Sequence, residues 1–185
     1  MFHEALLRRE DSVLVLVDCQ EKLMPAMADA ETLTRNLGRL LEGARLLGVP
    51  VLVTEQYPKG LGPTIPPLAD RLPPDATRFV KLAFSAAGEE AFFDALEETG
   101  REQVLLVGVE AHICVLQTAL DLVERGLSVQ VAADAVASRD PRHVANALQR
   151  LTREGVIVTN HESALFEWLG VADGEAFKAI SKLVR

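Results

Sequence analysis

The sequence predicts an α/β fold: a doubly wound parallel sheet with helices on both faces. Three features point there. Short runs of Val, Leu and Ile are apolar at successive rather than alternate positions, as in strands buried on both faces. Segments with apolar residues at helical spacing separate these runs. The alternation continues through most of the chain, which calls for parallel strands joined by right-handed crossovers.

The elements follow in order. Residues 12–18 (Ser-Val-Leu-Val-Leu-Val-Asp) read as the first strand. Residues 32–47 place Leu33, Leu37, Leu40, Leu41, Ala44 and Leu47 on one helical face, and Gly48 ends that helix. Residues 50–55 hold a second strand around Val51-Leu52-Val53. Residues 56–77 are proline-rich, with Gly60 and Gly62, and read as one long irregular stretch. A loop of that length inside a compact domain is usually functional. A short strand at 78–81 precedes a helix at 89–99, with Phe92, Phe93 and Leu96 on one face and Gly100 at its end. Then come a strand at 103–109, a helix at 113–125, a strand at 128–132 and a helix at 141–153. Asp140 followed by Pro141 is a strong start signal for that helix. A sixth strand at 156–158 and helices at 162–169 and 175–184 complete the chain. No repeat, linker or low-complexity segment interrupts it, so 1–185 reads as a single domain.

A domain of 185 residues can bury a sizeable core without disulfides or a structural metal. Its formal charge is −8, which weighs against nucleic-acid and anionic-membrane partners. No apolar run reaches the ~18 residues of a spanning helix. The first residues lack a signal-peptide layout. The expectation is a soluble, cytoplasmic protein. Two cysteines, Cys19 and Cys114, are too few for a disulfide framework.

Open parallel sheets bind ligands outside the carboxyl ends of their strands. Three polar residues fall there. Asp18 ends the first strand, where partial burial raises a carboxyl pKa unless a cation holds it ionised. By itself it also fits a turn or helix cap. Lys81 ends the third strand; a lone lysine there is ordinarily a solvated edge residue. Cys114 opens the helix after the fourth strand, where unpaired N–H groups and the helix dipole favour a thiolate. Position alone leaves Cys114 open to a packing role as well. Cys19 reads as packing. An acid, a cation and a thiol at strand ends of one sheet compose a plausible nucleophilic site. Assuming the order 3-2-1-4-5-6, Asp18 and Cys114 flank the crevice and Lys81 reaches it from strand 3.

The segments Val17-Asp18-Cys19-Gln20-Glu21-Lys22, Phe79-Val80-Lys81-Leu82-Ala83-Phe84-Ser85 and Gly108-Val109-Glu110-Ala111-His112-Ile113-Cys114-Val115-Leu116-Gln117-Thr118 carry a resemblance. In order and spacing they resemble the isochorismatase-like cysteine hydrolases, over nearly the whole chain. Residues 54–64 resemble the isochorismatase-domain-containing subfamily. The resemblance implies a six-stranded sheet in the order 3-2-1-4-5-6 and a catalytic triad of Asp18, Lys81 and Cys114. It implies a cis peptide between Val109 and Glu110, with the N–H groups of Glu110 and Cys114 as oxyanion donors. It also implies a homo-oligomer, for which the chain's own hint is the apolar helix face around Leu116, Leu120 and Leu122.

The expected activity is hydrolysis of a small amide or imide through a Cys114 thioester, without cofactor. The alternative is a small-molecule-binding or scaffold protein of the same shape with no turnover. A redox thiol role finds no Cys-x-x-Cys. Metal-dependent relatives carry an aspartate and histidines after strand 2. Here that region reads Thr54-Glu55-Gln56-Tyr57, and none of the four histidines has paired ligand spacing, so no catalytic metal is expected. Gln20, Leu23, Tyr57, Phe84 and His112 are the candidate substrate-binding residues; each of them also fits a structural role.

Overall fold

A computed structural model describes residues 3–185. Its centre is a six-stranded sheet of β1 (Ser12–Val17), β2 (Val51–Gln56), β3 (Thr77–Lys81), β4 (Gln103–Val109), β5 (Ser128–Ala137) and β6 (Ile157–Thr159). The strand order is β3-β2-β1-β4-β5-β6, and every pairing is parallel. The order reverses at β1, so the crevice opens between β1 and β4.

Alternate residues of the buried strands feed two cores. Leu14, Leu16, Val51, Val53, Leu105 and Val107 face α1 (Ala30–Leu47), α7 (His161–Leu169) and α8 (Gly174–Leu183). Val13, Val15, Val17, Leu52, Val104 and Leu106 face α4 (Glu90–Glu98), α5 (Leu116–Glu124) and α6 (Pro141–Arg153). The uninterrupted apolar runs thus reflect strands covered on both sides. Local signals set the helix ends. Asp29 and Asp140 accept backbone N–H groups at the starts of α1 and α6, and Gly48 ends α1 in the left-handed region at φ 70°.

Three boundaries and one expected surface differ from the sequence reading. The stretch 56–77 is not uniformly irregular: it holds two one-turn helices, α2 (Pro58–Leu61) and α3 (Pro66–Ala69), each begun by a proline whose φ suits a first turn. β5 runs to Ala137 rather than 132: its alanine-rich end, Ala133-Asp134-Ala135-Val136-Ala137, is a weak strand signal, yet Val136 and Ala137 pair with Gly108 and Val109 after a register shift. The helix carrying Cys114 opens earlier, with a π-helical turn at Ala111–Val115. Leu116 and Leu122 are buried in the α5 core and Leu120 packs against it, so that face does not offer an oligomer surface.

Gly108 marks a close approach. Its φ is 113°, and a Cβ there would stand 2.2 Å from the Val17 carbonyl oxygen. Only glycine lets β4 pass this close to the end of β1. Among the described residues no helix is long and apolar enough to cross a membrane.

Candidate active site

β1 delivers Asp18 to the crevice and then stops. Asp18 takes a left-handed conformation (φ 51°), which aspartate tolerates better than most residues. Its N–H donates to the Thr54 carbonyl (3.1 Å) and its own carbonyl accepts from Gln20 N–H (2.8 Å). Its side chain is fully buried. Oδ1 accepts a hydrogen bond from Thr54 Oγ1 at 2.7 Å. Oδ2 lies 2.7 Å from Lys81 Nζ.

Lys81 closes β3, in register with Gln56 of β2, and is only 1% exposed. That overturns the solvated-edge reading of this lysine: the side chain turns inward beneath the chain that follows it. Its ammonium has three N–H donors. Three neutral acceptors receive them: Gln56 Oε1 (2.7 Å), the Phe84 carbonyl (2.9 Å) and the Ala83 carbonyl (3.2 Å). Asp18 Oδ2 therefore has the positive charge beside it without an aligned N–H, and it receives no hydrogen bond. A carboxylate oxygen held at short range from a cation, with a free lone pair, is fit to take a proton from a neighbour.

That neighbour is Cys114, in the π-helical turn. Here the N–H groups of Ile113 and Val115 both bond the Glu110 carbonyl (3.1 and 3.2 Å). Burial is the largest influence on the thiol and Asp18 the next. Both push its pKa up, to about 12, against the opposing pull of Lys81. The sequence favoured a thiolate because helix starts stabilise anions. In the folded protein desolvation and the carboxylate outweigh the cation, and the resting group is a thiol. Cys19 is also wholly buried, its pKa pushed up by burial and then by Asp18, with Sγ 3.5 Å from the Val17 carbonyl. It packs.

The peptide between Val109 and Glu110 is cis. The Glu110 side chain points toward the end of β5, where its carboxylate accepts from Arg139 N–H and Nε, each at 3.2 Å. His112 Nδ1 shares a 2.9 Å hydrogen bond with Ser138 Oγ, and its ring lies 4.5 Å from that of His143. Burial is the main influence lowering the His112 pKa, so the imidazole is neutral near pH 7.

The remaining candidates divide. Gln20 is not free for a ligand. It is fully buried, its amide donates to the Gln56 carbonyl (2.9 Å) and the Gly62 carbonyl (2.7 Å), and its oxygen accepts from Gln56 N–H (2.7 Å). All its bonds go to backbone, so it is a clamp holding β2 and the 56–62 segment. Leu23 packs on the α1-side core. Tyr57 and Phe84 are 52% and 54% exposed and stand on the segments that flank Lys81. Tyr57 is held in place: its N–H donates to the Lys81 carbonyl (3.0 Å), and its ring lies so close to Gly60 that a Cβ there would meet Cε1 at 2.2 Å. Two functional residues escaped the sequence reading, Thr54 and Gln56. The available signal was a polar residue at the carboxyl end of β2, beside the switch point. Among the described residues no group of three or more His, Cys, Asp or Glu is placed to hold a metal.

Fold and site together define a doubly wound α/β protein with a buried carboxylate–ammonium pair and a thiol at the carboxyl ends of its central strands. The chain belongs to the isochorismatase family: residues 12–163 match the isochorismatase domain. The isochorismatase domain-containing protein 2 of Danio rerio is 40% identical over 179 residues, covering 96% of this chain and 89% of that one. Among solved structures, the MAR1 ribonuclease of Caenorhabditis elegans superposes with a TM-score of 0.92 at 38% identity, covering 97% of this chain and 92% of that one. YcaC of Pseudomonas aeruginosa, solved with hexane-2,5-diol and covalent acrylamide, gives 0.91 at 28% identity, covering 99% and 93%. The family's fold supports a hydrolase role.

Proposed function

We propose that this protein is a cysteine hydrolase that cleaves a small amide or imide C–N bond through a thioester on Cys114. The observation that supports the reading is the buried Asp18–Lys81 pair, whose Oδ2 is free of a hydrogen bond, beside a Cys114 thiol held neutral by burial and by Asp18. Asp18 Oδ2 accepts the thiol proton as Sγ attacks the carbonyl carbon. Lys81 offsets the charge of the ionised carboxylate and sulfur. The N–H groups of Glu110 and Cys114 receive the oxyanion. The C–N bond then breaks, and Asp18 returns its proton to the departing nitrogen. Water attacks the thioester with Asp18 again as base, releasing a carboxylic acid and restoring the thiol. Proton transfer of this kind contributes about 10²–10⁴ in rate, and each oxyanion donor about 10²–10³.

The Pseudomonas YcaC structure, with its covalent acrylamide, supports a small amide as the kind of molecule this fold admits. The exposed Tyr57 ring, on the segment that flanks Lys81, supports a small substrate with an apolar part. The ribonuclease activity named for the nematode protein is not carried over, since a net charge of −8 opposes a polyanion. The chain is also proposed to be a homo-oligomer. Val80 and Leu82, 62% and 72% exposed on and just after edge strand β3, form with Phe84 an apolar surface that a second copy would cover. Light scattering reads that mass directly.

The functional test is a screen of small amides and imides with mass detection on wild type and Cys114→Ser. Wild type turns over at least one, and rapid quenching traps an acyl group on Cys114. Cys114→Ser loses about 10³-fold or more. A serine variant that keeps wild-type turnover overturns the proposal.

A further inference from the structure

A groove of about 900 Å³ runs along α1, and no residue that lines it belongs to the Asp18, Lys81 and Cys114 cluster. Three arginines line it: Arg35 and Arg39, one turn apart on α1, and Arg71, just past α3. No side-chain carboxylate is among their hydrogen-bond partners. Arg35 donates to Thr32 Oγ1 (3.1 Å), Arg39 to His161 Nε2 (3.4 Å) and the main-chain oxygen of Arg185 (3.5 Å), and Arg71 to the Pro67 carbonyl. None of the three forms an ion pair among the described residues. Of the two carboxylates in the lining, Glu42 is paired with Arg45, and Glu31 is exposed in the first turn of α1.

Three guanidiniums with spare donors in one groove repel one another, and two of them stand at the like-charge spacing of four residues. Gly38 brings the third in. Glycine inside a helix is unfavourable unless its missing side chain has a use. Here a Cβ would stand 3.2 Å from Arg71 Cδ and 3.3 Å from Nε. The bare backbone lets the Arg71 side chain lie against α1 at Gly38, on the groove that Arg35 and Arg39 also line. Apart from Thr34 the rest of the lining is apolar, with Met24, Ile65 and Leu183 in it. The volume lies in the range of small-molecule sites. In a chain of net charge −8, this concentration of guanidiniums is local and specific.

We infer that the groove is a binding site, separate from the thiol site, for a small organic anion: a carboxylate borne on a hydrocarbon body. The carboxylate lies among the guanidiniums, which present paired N–H groups to it, and the hydrocarbon lies on Met24, Ile65 and Leu183. The inference does not depend on the proposed hydrolysis.

Calorimetric titration of the full chain with octanoate, octan-1-ol and acetate tests it, using wild type, Arg71→Leu and Gly38→Ala. Octanoate binds one molecule per chain. The neutral alcohol and the short acid bind at least about tenfold more weakly, since each lacks one half of the match. Both variants weaken octanoate by about tenfold or more. Gly38→Ala does so with an unchanged or raised Tm, because alanine favours the helix. Light scattering with octanoate gives the same mass as without it. Alcohol binding within tenfold of octanoate, undiminished octanoate binding by either folded variant, no binding at millimolar octanoate, or a groove closed by a second copy overturns the inference.

Discussion

Asp18→Asn separates the reactivity of the thiol from its use in turnover. The substitution keeps the shape of the side chain and the oxygen that accepts from Thr54 Oγ1 at 2.7 Å. The Lys81 ammonium stays satisfied, because its three donors already go to Gln56, Ala83 and Phe84. What disappears is a negative charge that raises the Cys114 pKa. Lys81, which lowers that pKa, then acts alone. A single adjacent charge moves a pKa by about 1–3 units, or about 10- to 1000-fold in thiolate at neutral pH. A less basic thiolate is a weaker nucleophile, with a Brønsted slope of about 0.4–0.5, so alkylation by iodoacetamide rises by roughly 4- to 50-fold. Turnover moves the other way and falls by about 10²–10⁴, because asparagine cannot take the proton. The assay is the pseudo-first-order alkylation rate at pH 7 and pH 8, with the adduct assigned to Cys114 by mass, beside turnover of any amide that wild type hydrolyses. Slower alkylation in the variant, or retained turnover, refutes the reasoning.

Lys81→Met leaves the Asp18 carboxylate buried with Thr54 as its one side-chain hydrogen-bond donor, and costs about 3–5 kcal/mol in urea unfolding; a shift under about 0.5 kcal/mol contradicts the pairing. Gln20→Leu removes three backbone contacts that fix Gln56 and Gly62. It costs about 2–4 kcal/mol and loosens the residue that holds Lys81, so hydrogen exchange at the Gln56 amide accelerates; unchanged protection there shows that the clamp is not needed. His112 titrates below its usual 6.5, chiefly through burial, with His143 and Arg139 adding to the shift and Glu110 and Asp140 opposing it. The unfolded chain then binds that proton first as pH falls, so acidification through the ordinary histidine range favours unfolding. Histidine NMR reads the low midpoint, and His112→Gln loses less stability than wild type between pH 7 and pH 5; an equal loss removes His112 from the account.

Asp18 and Lys81 stand out in the sequence because each is a charged residue at the end of an apolar run, and Cys114 because it is a thiol at a helix start; those contrasts survive without coordinates. Thr54 and Gln56 occupy the same kind of position on β2, but threonine and glutamine are common enough there to pass for solvated ends. Gln20 is ambiguous in the sequence for a related reason: an amide that bonds three backbone groups, as this one does, and one that bonds a ligand are the same residue type. The π-helical turn at Ala111–Val115 has no local signature distinct from an α-helix start. The one-turn helices α2 and α3 were hidden because prolines mark loops as readily as first turns.

The pattern of apolar runs, helical spacings and terminal caps by itself determined the element types and the doubly wound class, because those depend on neighbours within a few residues along the chain. Tertiary structure decided how deep each polar group lies and what it touches. Lys81 became an inward, fully bonded cation because β2 and the chain after β3 close over it. Cys114 became a protonated thiol rather than a thiolate because burial and Asp18 together exceed the pull of one ammonium. Charge and proton affinity depend on solvent exclusion and on groups brought together from distant segments, and spacing along a chain carries no measure of either.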